Sequence, residues 1–523
     1  MLSDAVTGVR FLWHLPGYLR RGLGTDEARA ILARRLERRE EDFLALIARA
    51  VYARPSSPYR TLLRLAGCEQ GDLERLVRQD GVEGALRRLL RHGVYITVDE
   101  FKGRRPVVRG GVTLDVHPGS FRNPCAAGHA LLRTGGSRGS GTPVPVDLAF
   151  IHDRAVDASV VFEACGALRW RRAVWGVPGG AATIHAIEFA ILDGGLACWF
   201  STVSEGAPGL HPRYRWSARA LGWGSRLAGR PISAPQHVPF DDPLPVAQWM
   251  ASVLRAGAVP HLHTFASAAA QLCDAALEAG VNLAGARFTM ASEPITAARL
   301  AVVRRAGADA LPYFASVDCG PIGYGCRAPS APDDLHLLHD FQAVIQPEDA
   351  GPGIRLPGDA LLISTLRAAA PFLLLNVSLG DRAVVDRRSC GCPLEKASWG
   401  THIREVRSFE KLTAGGMTFL DVDLVRILEE ALPGRFGGGP MDYQLVEEEL
   451  DHGRAGLRLL VHPRVGPLDA RVVIDAFLDG IGRGSGAERV MALAWRDARI
   501  VAIERRPPIR TAVGKILHLH VRR

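Results

Sequence analysis

The feature that most limits the fold of this chain is an alternation of short apolar segments with segments of helical periodicity, between residues 125 and 380. Five apolar segments have the length of strands, at residues 173–177, 196–201, 259–265, 287–290 and 310–315. Two stretches of helical spacing, 268–279 and 296–306, separate the last three of them. Strands that alternate with helices predict an α/β domain whose parallel or mixed sheet carries helices on its faces.

The regions on either side predict a helical lead-in and a second, smaller domain. Apolar residues recur at helical spacing between residues 25 and 100. After residue 408 the pattern becomes helix 422–432, strands 443–448 and 456–462, helix 469–480 and strand 500–504. At 523 residues the chain is too long for one compact domain. We therefore predict an N-terminal domain at 1–407, with its lead-in at 1–105, and a small mobile α+β domain at 408–523.

Composition and charge predict a soluble protein without a membrane or nucleic-acid partner. Residues 1–21 carry Asp4 and Arg10 early and lack the apolar core of a signal peptide. The most apolar stretch, 361–377, is interrupted by Arg367 and Pro371, so it falls short of a membrane span. The net charge of +9 is scattered among acidic residues, which argues against a nucleic-acid footprint and suits a protein that handles ATP.

Nine cysteines occur in a chain that shows no export signal. This combination favours free thiols, a metal site or catalysis over disulfides, and it predicts a cytoplasmic location. Four residues have the ligand types of a structural zinc site: Cys326, His336, Cys390 and Cys392. Their spacing is irregular, so cysteines that are close only in sequence are the alternative.

A glycine-rich segment runs from Thr134 to Pro143. Its backbone N–H groups and hydroxyls can cradle phosphate, and the candidate contacts are Thr134, Gly135, Gly136, Ser137 and Gly139. No lysine stands in the position of a P-loop lysine, so a plain surface loop is the alternative. The similar segment 480–486 follows a predicted helix and is interpreted as a linker.

Three charged residues stand where an α/β site would use them. Asp318 and Asp381 each follow an apolar strand, where a carboxylate can hold Mg²⁺ or accept hydrogen bonds from ribose hydroxyls. Turn or cap residues are the alternative for both aspartates. Lys515 follows Gly514 in an arginine-rich C-terminal segment, and alone it would be interpreted as a solvated charge.

The order of these segments resembles that of the adenylate-forming superfamily, in particular its phenylacetate–coenzyme A ligase-like branch. Segments similar to the family's motifs are Ser57-Pro-Tyr-Arg60, Thr134–Pro143, Ala291-Ser292-Glu293-Pro294, Phe314–Cys326, Asp334-Leu-His336, Cys390-Gly-Cys392, Asp381, Val406-Arg407-Ser-Phe-Glu410 and Lys515. Together they cover roughly residues 55 to 520. The chain differs in lacking the phosphate-loop lysine and in having Val317 and Asp318 where the family has Thr and Glu.

The resemblance implies a role for each of these segments. Residues 291–294 would line the adenine, Asp381 would hold the ribose with Arg407 nearby, and Asp318 would bind Mg²⁺. Lys515 would be the catalytic cation, and the Cys and His residues would bind zinc. The implied reaction is ATP-dependent activation of a small carboxylic acid as its adenylate, followed by transfer to coenzyme A. An amine or a carrier-protein thiol as acceptor, a non-catalytic nucleotide-binding relative, and a homodimer all remain compatible with the sequence.

Overall fold

A computed structural model of the chain describes residues 2–521 except 129, 134–142, 168, 177–180, 205–211, 348–353, 355, 410–412, 415–416, 419–420, 451–453, 484–491, 494, 497–499 and 512–513. Its helices are α1 (Leu2–Arg21), α2 (Thr25–Glu37), α3 (Arg39–Ile47), α4 (Pro58–Leu65), α5 (Gln70–Arg91), α6 (Val98–Phe101), α7 (Leu148–Ala164), α8 (Ala181–Ile191), α9 (Pro212–Leu227), α10 (Leu244–Arg255), α11 (Ala266–Glu278), α12 (Ala297–Arg305), α13 (Asp421–Arg426), α14 (Leu432–Phe436) and α15 (Ala470–Gly482).

The strands are β1 (Val107–Arg109), β2 (Val112–Leu114), β3 (Ala130–Arg133), β4 (Pro143–Val146), β5 (Arg171–Gly176), β6 (Leu196–Ser201), β7 (Gln236–His237), β8 (Pro260–Phe265), β9 (Arg287–Ala291), β10 (Asp309–Ser316), β11 (Gly320–Gly325), β12 (Leu335–Leu337), β13 (Gln342–Ile345), β14 (Ala360–Thr365), β15 (Val377–Arg387), β16 (Thr401–Ser408), β17 (Thr413–Ala414), β18 (Met417–Thr418), β19 (Tyr443–Leu450), β20 (Arg454–Val461), β21 (Val501–Arg505) and β22 (Leu519–Val521).

One large mixed sheet organises the N-terminal region, as the alternating pattern predicts. Among the described residues it has twelve strands, in the order β13-β14-β15-β16-β12-β11-β10-β9-β8-β5-β6-β7. The strands from β10 to β7 pair in parallel, and those from β13 to β10 pair antiparallel. All five predicted strands of this region are confirmed; the segment 196–201 coincides with β6, and the others end within two residues of β5, β8, β9 and β10. The predicted α/β class is therefore correct.

The helical lead-in is tied to the sheet through the strand β15 and the residues before it. Tyr59, from the Ser-Pro-Tyr-Arg segment, is buried, and its hydroxyl accepts a hydrogen bond from Leu375 N at 3.3 Å. The Asn376 side-chain amide donates to the carbonyls of Leu86 and Val94 at 2.9 and 3.1 Å. These contacts place the residues that follow α5, including α6, beside the large sheet.

The C-terminal region forms a four-stranded sheet in the order β21-β20-β19-β22, with α13 to α15 packed on it. An apolar cluster drawn from residues 424–519, with Phe477 and Leu459 fully buried, is the core of this unit. The predicted helix 422–432 is interrupted, because a π-helical turn, Ile427–Ala431, separates α13 from α14. The boundary predicted at residue 408 coincides with the end of β16 and stays a prediction.

The described helices are all too short or too polar to cross a lipid bilayer. The longest, α5 and α1, have charged or polar residues along their length. In the apolar stretch 361–377, residues 361–365 belong to β14, a buried strand of the large sheet.

Candidate functional site

The candidate site lies at one edge of the large sheet. Because β5, β8, β9 and β10 run parallel, their carboxyl ends meet at the same edge, where ligands of open α/β sheets bind. Phe265 and Ala291 end β8 and β9, and Ser316 ends β10. The predicted segments 292–294 and Asp318 follow directly. Two strand spacings, about 10 Å, separate the outer positions and leave room for a nucleotide phosphate chain.

The segment predicted to line the adenine has one residue in a left-handed backbone conformation and a glutamate whose carboxylate oxygens are both hydrogen-bonded. Ser292 has φ of 68°, a left-handed conformation that costs energy in a non-glycine residue and is found disproportionately at ligand-binding sites. The carboxylate of Glu293 accepts hydrogen bonds from Ser267 N and Oγ at 2.7 and 3.0 Å, from Arg299 at 3.2 Å and from Ile516 N at 2.9 Å. The Glu293 side chain is therefore occupied, and a nucleotide would meet the backbone of this segment or the exposed Ser292; the adenine contact stays a prediction.

Lys515 is held against the same edge by a tight turn of the C-terminal unit. Gly514 N donates to Thr511 O at 2.7 Å, and Lys515 N donates to Thr511 Oγ1 at 3.1 Å. Gly514 has φ of 88°, and a Cβ there would lie 1.7 Å from the Phe240 ring, so only glycine fits this contact. Lys515 Nζ lies 5.7 Å from the centre of the Phe265 ring, within range of a cation–π contact.

A buried ionic network joins the two units beside this turn. Glu429, in the π-helical turn, contacts Arg299 Nε at 2.8 Å and His518 Nε2 at 2.6 Å, and it accepts a hydrogen bond from Thr296. Arg299 also pairs with Glu293, and both side chains are 1% exposed. Burial raises the pKa of the Glu429 carboxyl, but Arg299 and His518 outweigh it and leave the pKa below its ordinary value. The Glu429 carboxylate therefore stays ionised at neutral pH.

Asp318 lies in the turn between β10 and β11 and is 6% exposed. Its Oδ2 is 3.2 Å from Lys102 Nζ and 3.4 Å from Ser316 Oγ. Its Oδ1 is buried and has no hydrogen-bond partner among the described residues. A carboxylate oxygen without a partner fits an oxygen-binding cation such as Mg²⁺, so the donor set agrees with the predicted role.

Asp381 lies within β15, not after a strand as predicted. Burial, with the carboxylates of Asp318 and Asp381 nearby, raises the pKa of the Cys319 thiol, which places both aspartates close to one residue. Across the β15–β16 ladder Asp381 lies opposite Ser408, and Arg407 lies opposite Arg382. Arg407 pairs with Asp333 at 3.0 Å. Asp333 also accepts hydrogen bonds from Glu405 N and Val406 N, so it fixes the end of β16. The predicted ribose contact is not tested by these distances.

The predicted phosphate loop, with Thr134, Gly135, Gly136, Ser137 and Gly139, lies outside the described residues. The strands on either side of it, β3 and β4, pair antiparallel, with Arg133 opposite Pro143. The loop therefore joins two adjacent strands, and its role in phosphate binding stays a prediction.

The cysteines and histidines predicted to bind zinc converge. Ligand atoms of Cys326, His336 and Cys390, together with those of His402, all lie within 4.8 Å of one another. His336 Nε2 is 3.1 Å from Cys392 Sγ and 3.7 Å from Cys390 Sγ. A tetrahedral zinc site separates its ligands by about 3.5 Å. The arrangement is thus close to what a metal would require, with five candidate ligands for four positions.

His402, which the sequence did not single out, has the features of a ligand. It pairs with His336 across β12 and β16, and its Nδ1 is 2.7 Å from Asp334 Oδ1. Its Nε2 is buried with no described partner. His336 Nδ1 likewise lies 2.5 Å from the Trp399 carbonyl. Such contacts fix the tautomer that leaves Nε2 free to bind a metal. The signal in the sequence was a histidine ten residues after the Cys-Gly-Cys pair.

We predict one zinc ion per chain, held by Cys326, His336, Cys390 and His402. Chelation is expected to lower the thermal midpoint markedly, because loss of a structural metal is among the changes that cost more than about 4 kcal/mol. His402→Ala should lose the metal, and Cys392→Ser should retain it. Elemental analysis and thermal melts measure both effects.

Cys125→Ser, which changes a half-buried cysteine elsewhere, serves as the matched control and should keep both metal and stability. Metal-free protein of full stability would refute the site. Metal loss in Cys392→Ser but not in His402→Ala would restore the quartet predicted from the sequence.

No protein-family model and no curated protein matches the chain. Solved structures of other proteins do match the chain. 2-Hydroxyisobutyryl-CoA ligase in the postadenylation state with 2-HIB-AMP superposes with a TM-score of 0.51 and 14% identity, covering 95% of this chain and 90% of that one. Its complex with R3-HIB-AMP gives a TM-score of 0.50 over the same shares, also at 14% identity. At this identity the likeness concerns architecture. The protein therefore has the fold of an adenylate-forming CoA ligase, a mixed α/β domain followed by a smaller C-terminal domain.

Proposed function

We propose that the protein is an AMP-forming ligase that activates a small carboxylic acid with ATP and transfers the acyl group to the thiol of coenzyme A. The observation that carries this proposal is the seating of Lys515 against Phe265, at the sheet edge that also presents Asp318. A cation of the C-terminal unit and a carboxylate of the large domain therefore lie along the same edge of the sheet. Such an arrangement suits a reaction between an acid and a nucleotide phosphate.

In the first half-reaction, an oxygen of the substrate carboxylate attacks the α-phosphorus of ATP. A P–O bond forms, the bond to the β-phosphate oxygen breaks, and pyrophosphate leaves with the electron pair. Lys515 places its ammonium between the attacking carboxylate and the α-phosphate, where it offsets their negative charges. Mg²⁺, when bound, would neutralise charge on the phosphate oxygens, and Asp318 Oδ1 would hold it.

In the second half-reaction, the thiol loses its proton to water and its sulfur attacks the acyl carbon. The bond between that carbon and the AMP phosphate oxygen breaks, and AMP leaves with the electron pair. The small domain would rotate about the end of β16, near Ser408, and carry Lys515 away from the edge. The hydrogen bonds from Glu405 N and Val406 N to Asp333 fix the strand up to that point. Rotation would then begin after a rigid segment.

The direct test is acid-dependent exchange of labelled pyrophosphate into ATP with a panel of acids, including aromatic and short hydroxy acids. Exchange with at least one acid, followed by thioester formation with coenzyme A, supports the proposal. Exchange followed by transfer only to an amine or carrier protein would correct the acceptor.

The second candidate is a nucleotide-binding protein without catalysis. It is favoured by Val317, which cannot offer a hydroxyl to the phosphate, and by the missing phosphate-loop lysine. Nucleotide binding without exchange for any acid would favour that candidate.

Asp381→Ala is expected to weaken ATP binding by about 10- to 100-fold, since a hydrogen bond to a charged group contributes about 1.5–3 kcal/mol. Calorimetric titration with ATP measures the change. Asp359→Ala is the matched control. The Asp359 side chain is 46% exposed and pairs with Arg382, which neighbours Asp381 on β15. A folded Asp381→Ala variant with unchanged ATP affinity would exclude the ribose role.

A further inference from the structure

Lysine is rare in this chain. Of 64 basic residues counted as Lys or Arg, four are lysines, at positions 102, 396, 411 and 515. Lys515 is the candidate catalytic cation, and Lys396 is exposed in the turn after Cys392. Lys102 differs from Lys396 because its side chain is only 22% exposed and faces the candidate site. Because the chain has arginine at almost every other basic position, the use of lysine at a largely buried position suggests a specific role for its ammonium group.

The backbone of Lys102 is held rigidly. The short helix α6 begins with a capping box, in which Glu100 N donates to Thr97 Oγ1 and Thr97 N donates to the Glu100 carboxylate. Phe101 is fully buried, with ring contacts to Phe121 and Phe372 at centroid distances of 5.4 and 5.5 Å. Lys102 N closes the helix on Val98 O at 2.9 Å. The side chain therefore starts from a fixed point.

Its ammonium reaches across to the sheet edge. Lys102 Nζ lies 3.2 Å from Asp318 Oδ2 and 4.9 Å from the centre of the Phe101 ring. An ammonium has three N–H donors, and one of them is directed to Asp318. The other carboxylate oxygen, Oδ1, is buried without a described partner. A cation and an unsatisfied carboxylate oxygen thus lie side by side, which matches the needs of a phosphate chain with its metal ion.

We propose that Lys102 contacts the leaving pyrophosphate of ATP and replaces the lysine that the predicted phosphate loop lacks. This inference rests on the proposed function, since that reaction defines the anion. Asp318 would act on both sides, with Oδ2 orienting the ammonium and Oδ1 available to Mg²⁺. A lysine suits this position because its compact charge sits on a flexible stem that can follow the departing phosphates, whereas an arginine fork demands fixed geometry.

The competing explanation is that the pair only joins the lead-in to the sheet. A purely structural ion pair would affect stability and leave anion affinity unchanged. Binding of inorganic pyrophosphate, in the presence of Mg²⁺, separates the two explanations because it requires no acid and no turnover.

The experiment is calorimetric titration of the full chain with magnesium pyrophosphate, for the wild type, Lys102→Ala, Lys102→Arg and Arg105→Ala. Arg105 is the matched control: it lies three residues away, is 74% exposed and pairs with Asp99. Lys102→Ala is expected to weaken pyrophosphate binding by about 10- to 100-fold. Lys102→Arg should recover part of that loss, and Arg105→Ala should bind like the wild type. Thermal melts confirm that each variant is folded.

Unchanged pyrophosphate affinity in a folded Lys102→Ala variant overturns the inference, even if its stability falls. If the wild type also catalyses acid-dependent exchange, the proposed function then survives without Lys102. Conversely, a loss of pyrophosphate affinity in Lys102→Ala, with no exchange by the wild type for any acid, supports the phosphate contact and removes the ligase reaction. Equal losses in Lys102→Ala and Arg105→Ala would indicate a diffuse electrostatic effect and would also overturn the inference.

Discussion

Lys515→Ala is expected to slow acyl-adenylate formation by about a hundredfold or more, with little change in folding or in ATP affinity. The ammonium sits over Phe265 at the edge that carries the candidate nucleotide segment, where it can face both the carboxylate and the α-phosphate. Charge stabilisation of this kind is strongest in a site from which water is excluded. The measurement is acid-dependent pyrophosphate exchange, with ATP binding followed separately by calorimetry.

The same variant should spare the second half-reaction. When preformed acyl-adenylate is supplied with coenzyme A, thioester formation is expected at nearly the wild-type rate, because the small domain would by then have turned Lys515 away. Lys396→Ala removes an exposed lysine and serves as the control for both assays. Wild-type exchange by Lys515→Ala would remove the catalytic assignment of Lys515, and the ligase reaction would then have to rely on other residues.

Glu429→Ala is expected to release the small domain from the large one. The substitution removes a buried carboxylate that contacts Arg299 and His518, and it leaves the Arg299 charge with Glu293 as its remaining carboxylate. Breaking one side of a buried ion pair costs about 3–5 kcal/mol, which shifts the docking equilibrium by about a hundredfold or more. Small-angle X-ray scattering should show a larger radius of gyration, and pyrophosphate exchange should slow in parallel.

Glu430→Ala changes the next residue, which is exposed, and should leave shape and exchange unaltered. The pH dependence has a definite sign. The folded-state pKa of Glu429 is depressed, so its contribution is complete above the ordinary range of a glutamate and is lost as the pH falls through the depressed value. Acid should therefore weaken the docking of the small domain in the wild type. An unexpanded Glu429→Ala variant would show that other contacts hold the units together.

The sequence predicted the parallel strands of the large sheet, because each of them is a short apolar segment that can be recognised without knowing its neighbours in the fold. β6 is apolar at consecutive positions, as expected for a strand covered on both faces, and its boundaries coincide with the prediction. The π-helical turn that carries Glu429 was missed, since an apolar helical pattern does not reveal an inserted residue. Strand β22 was also missed; it has three residues and depends on pairing with β19.

A candidate residue can be chosen from the sequence where it follows a strand, and not where two distant elements meet. Asp381, which was expected to follow a strand, lies within β15. Asp318, in the turn after β10, could be chosen from its position after an apolar segment. Lys102 could not, because its relation to Asp318 spans 216 residues and arises only from the docking of α6. His402 was missed for the same reason: its pairing with His336 depends on the β12–β16 ladder. Long-range contacts of this kind leave no periodic trace in the sequence.

Ile516, one residue beyond Lys515, is 5% exposed and belongs to an apolar cluster formed mainly by residues of the large domain, together with Met441. Two side chains of the C-terminal unit, Met441 and Ile516, therefore complete the apolar core of the large domain. Rotation of the small domain would expose to water an apolar surface that these two side chains cover in the docked state. On the mechanism proposed above, self-association would therefore be greatest during turnover.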